Sequence, residues 1–472
     1  MSRFVFGLFS FAVCLFSAVS VFAEVKLPAI FGTDMVLQRD LSCPVWGWAD
    51  PGEEIKVNIA DQTKTAKADT EGKWSVKLDP MDAGGPFTMY ISGENTLKFD
   101  NIMVGEVWFC SGQSNMAWNV ANSNRSRDEI AKADFPNIRS IRVPTISKTT
   151  PQDDFQGKWE VCSPKTVGNF SAVAYFFGRQ IHQDTKVAVG LINDSWGGSS
   201  CEAWLNPEVA AKSPEFVDLI KSRAEAEKTK PDGGDNKNLG YLYNGMIRPI
   251  VGYGIRGTIW YQGESNSSRA VQYRTLFPAM IQNWRDEWKQ GDFPFYWVQL
   301  ANFMQTEKNP SASGGWAMVR EAQSMARSLK NTGEAVIIDI GDAGDIHPRN
   351  KQDVGKRLAL LAMNDVYGKK VPCESPRFKT MEVQGGKAVL TFDFAYEGLY
   401  AKGALPTGFA IAGEDKVFHW ASAEISGKDT VSVSSPQVAQ PVAVRYGWAS
   451  NPVVNMYNSA NLPMCPFRTD VD

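Results

Sequence analysis

The chain has 472 residues and a formal net charge of −3, with acidic and basic side chains interspersed along its length. It carries no basic stripe, so we expect no nucleic acid partner. The sequence also contains no Cys-x-x-Cys motif and no histidine-rich cluster, and it therefore predicts neither a metal site nor another cofactor. A length of this order allows two or three domains.

Residues 1–23 have the features of a secretory signal peptide. Arg3 supplies the positive charge, residues 4–22 are almost wholly apolar or small, and residues 21–23 (VFA) fit a signal peptidase site. A membrane anchor is the alternative, because the apolar stretch is nearly long enough to span a bilayer. Its position at the extreme N-terminus favours cleavage before Glu24. We therefore expect a secreted or periplasmic protein with no stable membrane span.

Six cysteines follow this segment, a density too low for a disulfide scaffold. Cys110 lies in an apolar run and is expected to be a buried thiol. Cys373 and Cys465 both fall near the C-terminal region, and whether they pair is left open. The 15 Trp, 26 Phe and 13 Tyr residues are expected to lie mostly in the core.

Residues 24–100 predict a small N-terminal β domain. Short strand-like runs are separated by Gly, Pro and Asp at the spacing typical of an antiparallel β-sandwich. The same pattern returns in residues 371–472. This C-terminal β region is either a third domain or a completion of the first.

Residues 101–370 alternate between strand and helix patterns. Apolar residues recur at steps of three and four from Tyr273 to Trp288, where Pro278 marks a kink or a late start, and a second helical pattern covers residues 354–363. Such alternation predicts an α/β domain with a parallel sheet covered on both faces. The five runs predicted as strands are Val104 to Cys110, Val187 to Ile192, Ile255 to Gln262, Phe295 to Leu300 and Ala335 to Ile340.

Polar motifs follow four of these five strands. They are GQSN at residues 112–115, NDSWGGS at 193–199, QGESN at 262–266 and DAGDIH at 342–347. Ligands bind beyond the carboxyl ends of the strands in an open parallel sheet. We therefore expect the four loops to form a single site.

Ser114, Asp345 and His347 are the three residue types that nucleophilic acyl transfer requires. The serine would attack, His347 would take its proton, and Asp345 would orient the imidazole, with Asp342 as the alternative acid. His347 is one of three histidines in the chain. The plainer interpretation is that Asp345 caps a helix beginning near Asn350 and that His347 is an ordinary loop histidine.

The remaining loop residues suggest how an oxyanion would be stabilised. Backbone N–H groups at Gly197 and Gly198 can approach a substrate carbonyl, because no side chain stands in the way. Gln262 can donate its side-chain amide to the same oxygen, or it can simply end a strand. Glu264 is expected to be structural rather than catalytic. Met116 occupies the position where a Gly-x-Ser-x-Gly elbow needs glycine, which argues against the common α/β-hydrolase fold.

The motif blocks together resemble those of a known family. Residues 112–116 (GQSNM), 195–198 (SWGG), 260–266 (WYQGESN) and 345–348 (DIHP) are similar to blocks of the sialate O-acetylesterases and related carbohydrate acetylesterases of the SGNH hydrolase superfamily. The resemblance covers nearly the whole mature chain. It implies a flavodoxin-like three-layer α/β/α catalytic domain with flanking β-sandwich-type regions, and metal-free hydrolysis of acetyl esters on sugars.

Carried onto this chain, the resemblance implies Ser114 as nucleophile, His347 as base and Asp345 as the orienting acid. The third block departs from the superfamily pattern Gly-x-Asn-Asp, since it reads Gly-Glu-Ser-Asn at residues 263–266. Gln262 is therefore expected to replace the missing oxyanion donor, with Ser265 and Asn266 as the next candidates. The full expected oxyanion hole comprises the Ser114 backbone, Gly198 (or Gly197) and Gln262, and the expected substrate-binding side chains are Gln113, Asn115 and Glu264.

These observations predict a serine esterase that removes O-acetyl groups from carbohydrates, most specifically from sialic acids. An esterase of acetylxylan or another plant glycan is the alternative substrate class. A carbohydrate-binding protein without activity and a glycoside hydrolase using Glu264 and Asp345 are alternatives of other classes. The expected partner is an O-acetylated sugar or glycan, and the sequence indicates no oligomeric state.

Overall fold

A computed structural model describes residues 24–311 and 314–470 of the chain. The predicted signal peptide, residues 1–23, lies outside the described residues. Eight α-helices are found in the described part: α1 (Ser114–Ala117), α2 (Ser126–Ala131), α3 (Ala172–Thr185), α4 (Pro207–Ala210), α5 (Val217–Thr229), α6 (Ala270–Trp288), α7 (Gly315–Met325) and α8 (Lys351–Asp365).

The strands fall into three groups along the chain. The N-terminal group comprises β1 (Val36–Gln38), β2 (Pro44–Trp48), β3 (Glu54–Ile59), β4 (Gln62–Lys67), β5 (Lys73–Lys77), β6 (Gly84–Ser92) and β7 (Thr96–Gly112). The central group comprises β8 (Phe135–Arg142), β9 (Trp159–Cys162), β10 (Val189–Ser195), β11 (Gly257–Tyr261), β12 (Phe295–Val298) and β13 (Thr332–Ala335). The C-terminal group comprises β14 (Arg377–Gln384), β15 (Lys387–Asp393), β16 (Leu399–Ala401), β17 (Phe409–Ala412), β18 (His419–Trp420), β19 (Ser422–Gly427), β20 (Thr430–Ser434), β21 (Ala443–Tyr446), β22 (Met456–Asn458) and β23 (Phe467–Arg468).

The central sheet has the strand order β13-β12-β11-β7-β10-β8-β9. All its neighbouring pairs are parallel except β8 with β9. The five strands that correspond to the predicted apolar runs have the order 2-1-3-4-5 when they are numbered along the chain, which is the flavodoxin order. Strands β8 and β9 extend one edge. The predicted α/β fold is confirmed, and it places the ends of β7, β10 and β11 side by side.

Two apolar layers cover the faces of this sheet. On one face, Phe109 and Trp260 pack with Trp284 of α6 in a core that also includes residues of α7. On the other face, Trp108 of β7 and Leu358 of α8 belong to a core that also includes residues of α3. Burial of these aromatic and aliphatic side chains is the main source of stability for the α/β/α sandwich. Helix α6 continues through Pro278, so the proline neither ends the helix nor delays its start.

Strand β7 belongs to both the N-terminal region and the central sheet. Its first part pairs antiparallel with β6, and its last residues pair in parallel with β10 and β11. The domain boundary predicted at residue 100 therefore falls inside a continuous strand. The C-terminal strands form two four-stranded sheets, β14-β15-β20-β19 and β18-β17-β21-β23, and a two-stranded sheet, β16-β22, with a shared apolar core.

One sequence-based expectation is corrected by the structure, and one open question is answered. The run from Ala335 to Ile340 was predicted to be a strand, but β13 ends at Ala335. Val336 and Ile338 are buried instead against Cys465 of the C-terminal region, which explains their apolar character. Cys373 and Cys465 are both free thiols, so they form no disulfide with each other. Cys110 is a buried free thiol, as predicted.

Within the described residues, no helix combines the length and the apolar character needed to cross a bilayer.

Candidate active site

Ser114 lies at the carboxyl end of the central sheet, as predicted. Strand β7 ends at Gly112 and α1 begins at Ser114, so the turn takes only one intervening residue. Gly112 has φ of 139°, and a Cβ atom there would lie 2.2 Å from the carbonyl oxygen of Tyr261. Glycine is therefore required for both conformation and space. The turn is fixed from both sides, because Gln113 N donates to Tyr261 O at 2.9 Å and Trp196 N donates to Gly112 O at 3.0 Å.

The segment that follows β13 brings His347 onto the serine. His347 Nε2 lies 2.9 Å from Ser114 Oγ, which is a hydrogen-bond distance. On the other side of the ring, Nδ1 lies 3.3 Å from Asp345 Oδ1. Asp342 instead accepts a hydrogen bond from the backbone N–H of Gly344 at 2.8 Å. The geometry therefore selects Asp345 rather than Asp342 as the acid next to the histidine.

The interpretation of Asp345 as a helix cap is not supported. The N-cap of α8 is Asn350, whose side chain accepts a hydrogen bond from the backbone N–H of Asp353. Asp345 accepts a hydrogen bond from the backbone N–H of His347 at 2.9 Å. This bond is the largest cause of the lowered pKa of Asp345, with further contributions from His347 and Arg349. The carboxylate therefore stays ionised into more acidic solution than an ordinary aspartate.

Trp118, which the sequence reading did not single out, also fixes the histidine. Its ring stacks on the His347 imidazole with centroids 5.0 Å apart and an interplanar angle of 17°. Trp118 immediately follows α1, four residues after Ser114. The short segment from Ser114 to Trp118 thus contacts His347 at both of its ends. In the sequence, the position of Trp118 two residues after the motif block 112–116 was the only feature that could have indicated this role.

Gly197, rather than Gly198, is the glycine that lies against Ser114. A Cβ atom added at Gly197 would be 3.3 Å from Ser114 Cβ, whereas one at Gly198 would meet only Asn236 Nδ2, at 3.8 Å. Asn236 also holds this segment by donating to the Gly197 carbonyl at 2.7 Å. The Ser114 N–H is at the first residue of a helix and so has no intrahelical acceptor. The backbone at Ser114 and at the two glycines therefore remains the expected source of oxyanion donors.

Gln262 does not have the position expected of an oxyanion donor. The side chain is completely buried, and its amide nitrogen donates to Ser199 O at 3.2 Å and to Asn266 Oδ1 at 2.7 Å. Its oxygen accepts from Tyr273 at 3.0 Å. Because both amide hydrogens are engaged inside the protein, the expectation of direct donation is corrected to a supporting role. Asn266 is also buried and donates to Glu202, so it does not replace Gln262.

The three side chains expected to bind substrate are all buried. Gln113, Asn115 and Glu264 are 3%, 1% and 8% exposed, respectively. Asn115 Nδ2 donates to Glu264 Oε1 at 2.7 Å and to the backbone oxygen of Ile346 at 3.1 Å. Gln113 Oε1 faces the backbone N–H groups of Gly263 and Ser265 at 3.5 and 3.4 Å. The expectation that these three side chains bind substrate is therefore corrected. They are almost inaccessible to solvent, and they hold the loops of the site together instead.

The burial of Glu264 also weighs against a paired-carboxylate glycosidase. Burial raises the pKa of Glu264, and its Oε1 is already bound to Asn115. No group of acidic, histidine or cysteine side chains in the described residues has the arrangement of a metal site. What the arrangement can perform is attack by a hydroxyl that is hydrogen-bonded to a histidine base.

Comparisons with known proteins agree with this chemistry. Residues 104–363 match the family model described as carbohydrate esterase, sialic acid-specific acetylesterase. Sialate O-acetylesterases of Pongo abelii and Homo sapiens are each 29% identical to the chain, over 94% of it and 92% of their own length. The crystal structure of a carbohydrate acetylesterase from Xanthomonas citri superposes with a TM-score of 0.87 and 41% identity, covering 95% of this chain and 100% of that one. The chain therefore belongs to the sialic acid-specific acetylesterase family of carbohydrate esterases.

Proposed function

We propose that this protein is a serine esterase that hydrolyses O-acetyl esters of sialic acids, with Ser114 as nucleophile, His347 as general base and Asp345 as the residue that orients it. The observation that carries the proposal is the 2.9 Å distance between His347 Nε2 and Ser114 Oγ. It supplies the first requirement of the mechanism, a base within hydrogen-bond reach of the proton it removes.

The proposed reaction has two halves. Ser114 Oγ bonds to the acetyl carbonyl carbon while its proton passes to His347 Nε2, and the negative charge develops on the carbonyl oxygen. The backbone N–H of Ser114 and those of Gly197 and Gly198 are the proposed donors to that oxygen. The bond to the sugar oxygen then breaks, and His347 returns the proton to the sugar. A water molecule, deprotonated by His347, attacks the acetyl-serine; the bond to Ser114 Oγ breaks, His347 returns the proton to that oxygen, and acetate is released.

The proposed role of Asp345 rests on its two contacts with His347. It accepts from the backbone N–H of that residue and lies beside its Nδ1 atom. A carboxylate at this position favours the tautomer that carries a proton on Nδ1, which leaves Nε2 free to accept from the serine. The same negative charge stabilises the imidazolium that forms after proton transfer. The lowered pKa keeps the carboxylate in its charged form.

The sialate substrate is supported by the family description and by the names of the mammalian relatives. The relative from Xanthomonas citri, which is more similar in sequence, carries the broader description of carbohydrate acetylesterase. This similarity favours esters of other glycans, acetylxylan among them, as the second candidate class. Secretion or export to the periplasm is proposed from the leader-like residues 1–23 alone.

A substrate panel tests the proposal. Purified mature protein is incubated with 9-O-acetylated sialic acid, acetylxylan and a chromogenic acetyl ester, and acetate release is measured for each. We expect the largest kcat/KM for the sialic acid ester. A clear preference for acetylxylan would overturn the proposed sialate substrate but not the proposed esterase activity. Failure to release acetate from every ester, by protein shown to be folded, would overturn the proposed function.

A further inference from the structure

A lysine at the first position of α8 lies where two physical rules disfavour it. Lys351 is completely buried, although lysine is almost never fully buried unless it is paired. It also stands at the N-terminus of α8, where the helix dipole repels positive charge. Residues that break local rules of this kind are concentrated at functional sites.

The surroundings of Lys351 reach both the nucleophile and the base. Its ammonium nitrogen donates to Oδ1 of Asn115, the residue that follows Ser114. The same nitrogen lies 5.8 Å from the ring centre of Trp118 and 5.2 Å from that of Tyr261. Trp118 is the ring that stacks on His347. Lys351 thus lies beside Asn115, which follows Ser114 in the chain, and beside Trp118, which stacks on His347.

The hydrogen-bonding chemistry of lysine determines how Asn115 is oriented. An ammonium group can only donate, so it requires the oxygen end of the Asn115 amide to face it. The NH2 end must then point away from Lys351, toward Glu264 Oε1 and the backbone oxygen of Ile346. Ile346 lies between Asp345 and His347 in the chain. The direction of one amide therefore decides whether the loop carrying the acid and the base is held on the turn carrying the nucleophile.

We propose that Lys351 is a positioning residue for the esterase reaction: by fixing the orientation of Asn115, it clamps the Asp345–His347 loop onto the Ser114 turn. This inference rests on the proposed function. The charged groups that face Lys351 are Glu264 and Asp345, both of which oppose the effect of burial. Burial is the larger influence, and it lowers the pKa of Lys351 to about 7. Near neutral pH the side chain is therefore partly an ammonium and partly a neutral amine, and both forms can donate to Asn115 Oδ1.

The test compares Lys351→Met, Asn115→Ala and the double variant with wild type, using steady-state hydrolysis of a chromogenic acetyl ester. Methionine has nearly the same shape as lysine but cannot donate. Lys356→Met, at an exposed position of the same helix, is the matched control. We expect each single variant to lower kcat by about 10- to 100-fold, because small misplacements of reacting groups have effects of this size. KM is expected to stay within about twofold, since neither residue touches substrate.

The double variant decides whether the two residues act as one unit. If Lys351 works through Asn115, kcat of the double variant is expected to be no more than about threefold below that of the more impaired single variant. Multiplication of the two single effects would overturn the proposal. So would a Lys351→Met protein with normal kcat, or one in which only KM changes. If wild type itself releases no acetate, the proposed function fails rather than this inference.

A second variant covers the case in which Lys351→Met does not fold. Asn115→Asp keeps an acceptor for Lys351 but removes the N–H group that the Ile346 carbonyl accepts. We expect it to show a loss of kcat in the same 10- to 100-fold range, with melting temperature recorded alongside. Wild-type kcat in folded Asn115→Asp would contradict the proposed clamp.

Discussion

His347 Nε2 lies within 2.9 Å of Ser114 Oγ, although 233 positions separate the two residues in the chain. Each residue reaches this point because it follows a strand of the same parallel sheet. Ser114 follows β7, in the middle of the sheet, and His347 lies in the segment after β13, at one edge. The segment after β13 must cross the ends of β12 and β11 to reach the serine. Contacts with Trp118 and Asn115 are among those that hold it beside Ser114.

The two aspartates of the His347 segment give a direct test of the proposed acid. Asp345→Asn is expected to lower kcat by about 10²- to 10³-fold, less than the roughly 10⁴-fold found in a fully buried triad. The reason for the smaller effect is that the Asp345 side chain is 40% exposed, so water partly replaces the carboxylate. Asp342→Asn is the matched control, because among the described residues Asp342 bonds to the Gly344 backbone and not to His347, and kcat of this variant should stay within about twofold. Equal losses in both variants would contradict the assignment.

Substitution of Gly197 tests how closely the loop of Gly197 and Gly198 approaches Ser114. Gly197→Ala would place a methyl group 3.3 Å from Ser114 Cβ, so one of the two segments must shift by a few tenths of an ångström. We expect kcat for a chromogenic acetyl ester to fall by about tenfold or more, because the rate of an enzyme reaction falls when the reacting groups are displaced from their productive positions. Gly32→Ala, where an added Cβ meets nothing within 4 Å, should leave kcat unchanged. Normal kcat in folded Gly197→Ala would remove this loop from the proposed oxyanion site.

Gln262→Ala should now affect stability more than chemistry. The substitution leaves the carbonyl of Ser199 and the side chains of Asn266 and Tyr273 without their present partner. Each unsatisfied buried group costs roughly 1–3 kcal/mol of unfolding free energy. We expect a lowered melting temperature, with turnover per folded molecule reduced less than tenfold, and little change for the exposed control Gln282→Ala. A loss of 10²-fold or more in kcat at unchanged stability would restore Gln262 as an oxyanion donor.

Asp194 makes stability depend on pH in a predictable direction. Both its carboxylate oxygens are buried without a hydrogen-bond partner in the described structure, and burial raises its pKa well above the ordinary value. The unfolded chain loses this proton near the ordinary aspartate pKa, whereas the folded chain retains it. The folded state is therefore progressively disfavoured as pH rises through and above that value. Asp194→Asn stays neutral throughout.

Melting temperatures of wild type and Asp194→Asn across pH 5 to 8 measure this effect. We expect the variant to be the more stable, by a difference that grows with pH, with about 1 °C for each kcal/mol gained, because the entropy of unfolding increases with chain length. Asp218→Asn, an exposed aspartate on α5, is the control and should show no such trend. A difference that is constant or shrinks as pH rises would show that Asp194 is ionised in the folded protein.

The sequence predicted the features of this molecule that depend on local pattern. Apolar runs located β7, β10, β11 and β12, and the motifs after the first and last of the five runs located Ser114 and His347, because parallel strands bring their carboxyl ends together. Family membership confirms the prediction of a carbohydrate acetylesterase. The run after Ala335 was misread because its side chains are buried by the C-terminal region and not by a sheet.

The supporting residues were harder to predict because burial cannot be read from a motif. Gln262 and Asn115 were expected to face the substrate, since polar residues beside a nucleophile usually lie in the open site. Both are instead enclosed, and each has a hydrogen-bond partner that is distant in sequence, Ser199 for Gln262 and Lys351 for Asn115. Lys351 gave no signal at all, because one lysine at the start of a helix is indistinguishable from a solvent-exposed one without the fold.

Acetate release by Ser114→Ala tests the central claim most directly. Wild type and variant are assayed on the same acetyl ester, with Ser268→Ala as an exposed serine control and melting temperature as the check on folding. A nucleophilic Ser114 predicts a loss of at least about 10⁴-fold in kcat at an unchanged melting temperature, with normal kcat in the control. A folded Ser114→Ala protein that releases acetate within about tenfold of the wild-type rate would contradict the account.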